Sequence, residues 1–150
     1  MNNEKVIAEL NRFLRGRYMG IHQYAGLIKH ARDPRLKDLL RRFRDHAEKG
    51  AEMVAERIRL LGGEAVDGVG VMGEVQLWMQ KLKGYPEQTE HILRDALKGE
   101  NRYGIRLSHE MVAGDLDEES KQLIDTILEE DQKRADELHR WLAGSEQPSK

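Results

Sequence analysis

Hydrophobic positions along the chain recur at intervals of three and four, which is the period of an α-helix and not the alternation of a strand. The first run, Val6, Leu10, Phe13, Leu14, Ile21, Tyr24 and Ile28, predicts a helix over about residues 3–32. Asp33 followed by Pro34 is an N-cap with proline at the first helical position. It predicts a second helix over 34–61 with the stripe Leu36, Leu40, Phe43, Ala47, Gly50, Val54, Ile58, stopped by Gly62 and Gly63. Residues 63–85 read as a long crossover, in which GEAVDGVGVMG is rich in glycine and lacks a period while VMGEVQLWMQKLKG is expected to form a short helical turn or two. Pro86 then opens a predicted third helix over 86–113, with Leu93, Ala96, Glu100, Tyr103, Leu107 and Met111 inward. Asp117, Glu118 and Glu119 suit the start of a fourth, 118–143, whose stripe is Ile124, Ile127, Asp131, Arg134, Leu138 and Trp141. A polar tail, 145–150, follows. Helices joined by short, long and short links describe a single all-α domain over 1–150, a four-helix bundle with one crossover between helices two and three.

Composition narrows the function classes. The 150 residues carry 25 Lys+Arg against 27 Asp+Glu, a formal charge of -2, without the basic excess that nucleic-acid binding uses. Cysteine is absent, which removes disulfides, thiolate metal sites and cysteine nucleophiles. No apolar run approaches the ~20 residues of a membrane span, and MNNEKVIAEL has no signal-peptide core, so the expected location is the cytoplasm.

Four charged residues stand on inward stripes. Arg17 lies three after Leu14 and four before Ile21; Glu100 follows Ala96 by four; Asp131 follows Ile127 by four; Arg134 precedes Leu138 by four. All fall near mid-helix, where helix two offers only Ala47 and Gly50 and so leaves room for long side chains. One explanation is stripe drift, with guanidinium groups reaching water along their aliphatic stems. The other is a buried cluster of two cations and two anions, in which burial is tolerable only through pairing. Arginine suits the second because its planar fork holds a carboxylate by two parallel hydrogen bonds.

Three segments carry a family resemblance. LNRFLRGRYMGIHQY (10–24) resembles the first helix of the bacterioferritins, in the ferritin-like superfamily, RIRLLGG (57–63) the end of their second, and ILEEDQKRADEL (127–138) their fourth. The resemblance spans roughly residues 5–142 and implies a ferritin-like bundle in which two helices each give a Glu and two each give a Glu-x-x-His pair to two irons. Carboxylates neutralise and bridge hard iron while imidazole completes the site. By that resemblance the first-helix Glu falls on Arg17, the first Glu-x-x-His on Ala47 and Gly50, the third-helix Glu on Glu100, and the second Glu-x-x-His on Asp131 and Arg134. One ligand is kept, one is shortened, and two positions carry cations. The expectation is therefore a di-iron centre replaced by a salt-bridge cluster of Arg17, Glu100, Asp131 and Arg134, with no metal, or Glu100 and Asp131 as the remaining donors if iron binds.

The family's haem methionine falls on Glu48, with Met53 on another face, so haem is not expected. No residues follow WLAGSEQPSK to supply the family's short fifth helix, which leaves a dimer or larger homo-oligomer, or partnership with a ferritin-type subunit, as the expected assembly. His22, His30, His46, His91, His109 and His139 show no pair at three- or four-residue spacing. Trp78 and Met79 in the crossover are candidates for an exposed apolar contact. The expected function is a non-catalytic structural or interaction protein linked to iron homeostasis. The alternatives are an iron-storage protein or ferroxidase with a shifted or interface metal site, and a carrier of a small ligand in the space at Ala47 and Gly50.

Overall fold

In the computed structural model the described residues are 3–112, 114 and 116–146, and they form an all-α bundle. Helix α1 runs Asn3–His30 and α2 Pro34–Leu60. The Asp33 side chain accepts from the Arg35 backbone N–H at 2.9 Å, satisfying an orphan donor of the first turn of α2. Gly62, at φ 87, ends α2 in the left-handed region that a side chain would disfavour.

The crossover holds more helix than its composition suggested: α3 spans Gly70–Lys83. Asn11 ties down its approach, donating to the Glu64 carbonyl at 2.9 Å and accepting from the Val66 N–H at 2.9 Å. The third bundle helix begins later than Pro86. Gln88 has the extended backbone of an N-cap, and α4 runs Thr89–Gly99. Because proline fixes only its own φ, Pro86 marks the turn and not the first helical residue here.

A π-helical segment, Glu100–Ile105, then leads into α5, Arg106–Val112. This segment changes which residues face inward. Glu100, Gly104 and Ser108 are buried, whereas Tyr103 and Leu107, placed inward by a 3.6-residue period, are only half-buried. A wider turn advances the face by one residue. Finally α6 runs Glu118–Glu146, three residues beyond the expected end. Ala113, at the expected end of the third helix, and 147–150 of the expected tail lie outside the described residues.

Two apolar clusters reveal the topology. One joins Leu27 and Ile28 of α1, Leu36 to Phe43 of α2, Ile92 and Leu93 of α4, and Leu138 of α6. The other joins Leu10 to Leu14 of α1, Val54 to Ile58 of α2, Met111 of α5, and Ile124 and Ile127 of α6. So α1 and α2 are antiparallel, the α4–α5 rod and α6 are antiparallel, and the crossover carries the chain back along the bundle. Between the clusters, at mid-height, the core is charged.

Candidate functional site

The helices bring six sequence-singled positions into one layer. Among the charged ones, side-chain exposure is 5% or less for Arg17, Glu100, Asp131 and Arg134. Arg17 Nη1 donates to Asp131 Oδ2 at 2.7 Å. Arg134 donates from Nη2 to Asp131 Oδ1 and from Nε to Glu100 Oε1, the latter at 2.9 Å. Cations and anions therefore alternate along one chain of contacts: Arg17, Asp131, Arg134, Glu100. Two cations against two carboxylates leave the layer neutral, the condition under which buried charge is tolerable.

The local sequence explains the placement. Asp131 and Arg134 are three apart on α6, hence neighbours on one face. Gly104 admits Asp131 to the π-helical segment: a Cβ there would lie 2.6 Å from Asp131 Oδ2. Gly50 adjoins Arg17: a Cβ at 50 would stand at ordinary contact distance, 3.7 Å, from Arg17 Nη2. Ala47 is buried beside them. The Arg17 guanidinium also lies over the Phe13 ring, 5.7 Å from its centroid.

One participant was not expected from the sequence. The Tyr24 hydroxyl donates to Glu100 Oε1 and so ends the chain of contacts back on α1. Its signal was available: Tyr24 is seven residues, two helical turns, after Arg17 and shares its face. The π-helical segment was the other omission, and glycines at 99 and 104 are its only trace in the sequence.

Electrostatics follow from burial. Desolvation pushes the Glu100 carboxyl above its usual pKa, helped by Asp131 and opposed by Arg134, the Tyr24 hydrogen bond and Arg17. Burial, then Glu100, push the Tyr24 phenol well up, so it stays a donor. For Arg134, burial works against the charge but Glu100 and Asp131 outweigh it and raise the pKa. A cavity of about 20 Å³ adjoins Arg17, Tyr24, Ala47 and Glu100 on one side, room for a single water.

Of the remaining candidates, His46 lines a cleft beside Arg17, Gly50 and Arg134. His30 packs on Tyr85, ring centroids 5.2 Å apart, with Nδ1 2.9 Å from the Gly26 carbonyl. Among the described residues no group of three or more His, Asp or Glu side chains is placed to hold a metal ion. Trp78 and Met79 are each 62% exposed on α3, and Val71, Met72 and Leu82 are exposed beside them. No described helix is long and apolar enough to cross a membrane.

Comparison with known proteins places the chain among ferritin-like folds. The sequence model of the family described as "Domain of unknown function (DUF2383)" matches residues 5–111. No curated protein matches the sequence. A dodecameric thioferritin, the bacterioferritin-related protein from Bacteroides fragilis, superposes with TM-score 0.72 at 18% identity, covering 96% of this chain and 88% of that one. A point mutant of Mycobacterium smegmatis Dps1 gives TM-score 0.78 at 17% identity, covering 93% and 96%. The DPS protein from Vibrio cholerae O1, described as a member of a broad superfamily of ferritin-like diiron-carboxylate proteins, gives 0.72 at 18%, covering 93% and 90%. At these identities the likeness is one of fold.

Proposed function

Since the chain belongs to the DUF2383 family and folds as a ferritin-like bundle, we propose that it is a non-catalytic ferritin-like protein. In this reading a protein-supplied ion cluster occupies the place of a di-iron centre, and the molecule serves iron homeostasis as a structural or interaction subunit. The observation that carries the reading is the alternating array of Arg17, Asp131, Arg134 and Glu100, closed by Tyr24.

The donor set at these positions does not fit an iron pair. Glu100 and Asp131 are the two carboxylates present, and each already accepts from a guanidinium. Ala47 and Gly50 offer no donor atom on their side chains. Iron entering here would have to displace Arg17 and Arg134 from their carboxylates, and the two fixed positive charges would cancel the attraction those carboxylates offer it in a poorly screened interior. The cations do what metal ions do in the resembled family: they neutralise inward-pointing carboxylates.

An assembly of several copies, or pairing with a ferritin-type subunit, belongs to the same proposal. Its support is the apolar face of α3, where Val71, Met72, Val75, Trp78, Met79 and Leu82 stand at helical spacing and remain exposed. The dodecamer is a property of the Bacteroides protein. Neither a resident metal nor haem is part of the proposal.

Oxygen uptake with ferrous iron tests it. The full chain should oxidise ferrous iron no faster than a protein-free control. A saturable, protein-dependent rate would overturn the non-catalytic reading in favour of a ferroxidase with a shifted or interface site.

A further inference from the structure

The Arg17 guanidinium is incompletely used. It carries five N–H donors, and among the described residues the contact it makes to a carboxylate comes from Nη1 alone, to Asp131. Its Nε is buried and has no hydrogen-bond partner among the described residues. Its Nη2 lies beside Gly50, 3.7 Å from where a Cβ would be. Nε is sealed from solvent, which leaves Nη2, on the Gly50 side, as the guanidinium donor a ligand can reach. The residue as a whole is 5% exposed, so a donor left over there is held in a poorly solvated place, where its lack of a partner is costly.

Nη2 borders a cleft. Between α2 and α6 a cavity of about 280 Å³ reaches from the surface to the ion cluster. Its wall contains Arg17 and Arg134 at depth, with Lys49 and His46 on α2. Glu130 is the carboxylate residue lining it, and Glu130 Oε1 lies 3.4 Å from Lys133 Nζ. Deeper in, Asp131 and Glu100 are the anions facing these cations, already paired with them. Met53 and Ile127 supply apolar surface along the same wall. The volume lies just below the ~300 Å³ where pockets for larger ligands begin. It suits a small anion with a short carbon skeleton.

We propose that the α2–α6 cleft binds a small organic oxyanion, a carboxylate or a phosphate monoester, with Arg17 Nη2 as its anchor. Lys49 adds long-range attraction at the mouth, and Met53 and Ile127 cover the carbon skeleton. Arg17 thereby bridges Asp131 inside the core and the ligand outside it. The inference shares the ion-cluster geometry with the proposed function but needs no metal, and iron chemistry of either sign leaves it standing.

Calorimetric titration of the metal-free full chain at low ionic strength tests it, with inorganic phosphate and hexanoate as probes and chloride as the control. Saturable binding at one site per chain by either probe is expected, and which probe binds more tightly tells the head group. Lys49→Glu, at an exposed residue, should weaken binding about tenfold by reversing the charge at the mouth. Gly50→Leu should abolish it by filling the cleft, while the helical circular dichroism and cooperative melting stay intact. Arg17→Lys, which keeps the charge and withdraws Nη2, should weaken it about tenfold. No saturable binding by either probe, or binding that Lys49→Glu and Gly50→Leu both leave unchanged, would overturn the inference.

Discussion

Replacing Arg17 with alanine removes one cation from a neutral four-charge layer and leaves two carboxylates facing one guanidinium. The pair it breaks is 2.7 Å long, with side chains 5% and 0% exposed, so solvent screening gives little relief. At an effective dielectric of about 20, charges ~4 Å apart attract by about 4 kcal/mol. The alanine variant no longer bears the desolvation of the guanidinium, which offsets part of this. It also forfeits the contact over Phe13, worth about 0.5–1 kcal/mol. Breaking a buried pair by removing one partner costs about 3–5 kcal/mol on balance, and that is the expected loss of unfolding free energy. Urea unfolding followed by far-UV circular dichroism measures it, with the m-value checked for constancy. The double variant Arg17→Met with Asp131→Asn should recover at least ~1 kcal/mol relative to the sum of the singles, because coupled neighbours are not additive. A loss below ~1 kcal/mol for Arg17→Ala is the size expected of solvated pairs. It would refute the claim that this layer is buried and interdependent.

The other predictions concern neighbouring groups. Glu100 has a raised pKa in the fold, so the folded state holds its proton more tightly; its contribution is fullest below the ordinary Glu value and is lost as pH rises through the raised one. Wild type should therefore lose ground relative to Glu100→Gln as pH increases from about 4 toward neutrality, read as the difference between two stability-versus-pH curves; a wild type that gains on the variant as pH rises would contradict this. Gly104→Ala puts a Cβ 2.6 Å from Asp131 Oδ2 and should cost about 1–3 kcal/mol in chemical denaturation. Gly50→Ala, whose Cβ meets Arg17 Nη2 and Ile127 at ordinary contact distance, should instead stabilise α2 by about 0.5–1 kcal/mol. Arg57 donates to Asp117 at 2.6 Å, Glu119 at 2.9 Å and Ser120 Oγ at 3.1 Å, clamping the end of α2 to the start of α6. Arg57→Ala should cost about 1–2 kcal/mol. Burial alone would raise the Asp117 pKa, but Ser120 and Arg57 hold it below the usual range, so this part of the stability is present above the ordinary Asp pKa and lost as pH falls through the lowered one. The Arg57 variant should show a flatter acid limb.

What could be read from the sequence was whatever depends on near neighbours. The Asp33–Pro34 start of α2 is a local hydrogen bond plus a fixed φ, and both are written in adjacent residues. The inward positions of Arg17, Asp131 and Arg134 follow from a regular period along uninterrupted helices. The period misled where the helix itself changes pitch. At Glu100–Ile105 the backbone turns wider, and Gly104 and Ser108 take the places assigned to Tyr103 and Leu107. Such a shift is worth one residue of register and depends on packing against α6, where Asp131 presses on Gly104. Helix α3 was obscured because glycines at 68, 70 and 73 dilute its start, while its apolar residues at 71, 72, 75, 78, 79 and 82 do keep helical spacing. The Tyr24 bond to Glu100 joins residues 76 apart, and only the assembled bundle brings such partners together.

A crystal of the full chain soaked anaerobically in ferrous iron and measured at the iron absorption edge puts the account to its most direct trial. Anomalous density should be missing from the middle of the bundle, with Arg17 still on Asp131 and Arg134 still spanning Asp131 and Glu100. An iron peak ligated by Glu100 and Asp131, with either guanidinium swung away, would contradict the claim that the protein's own charges fill that space.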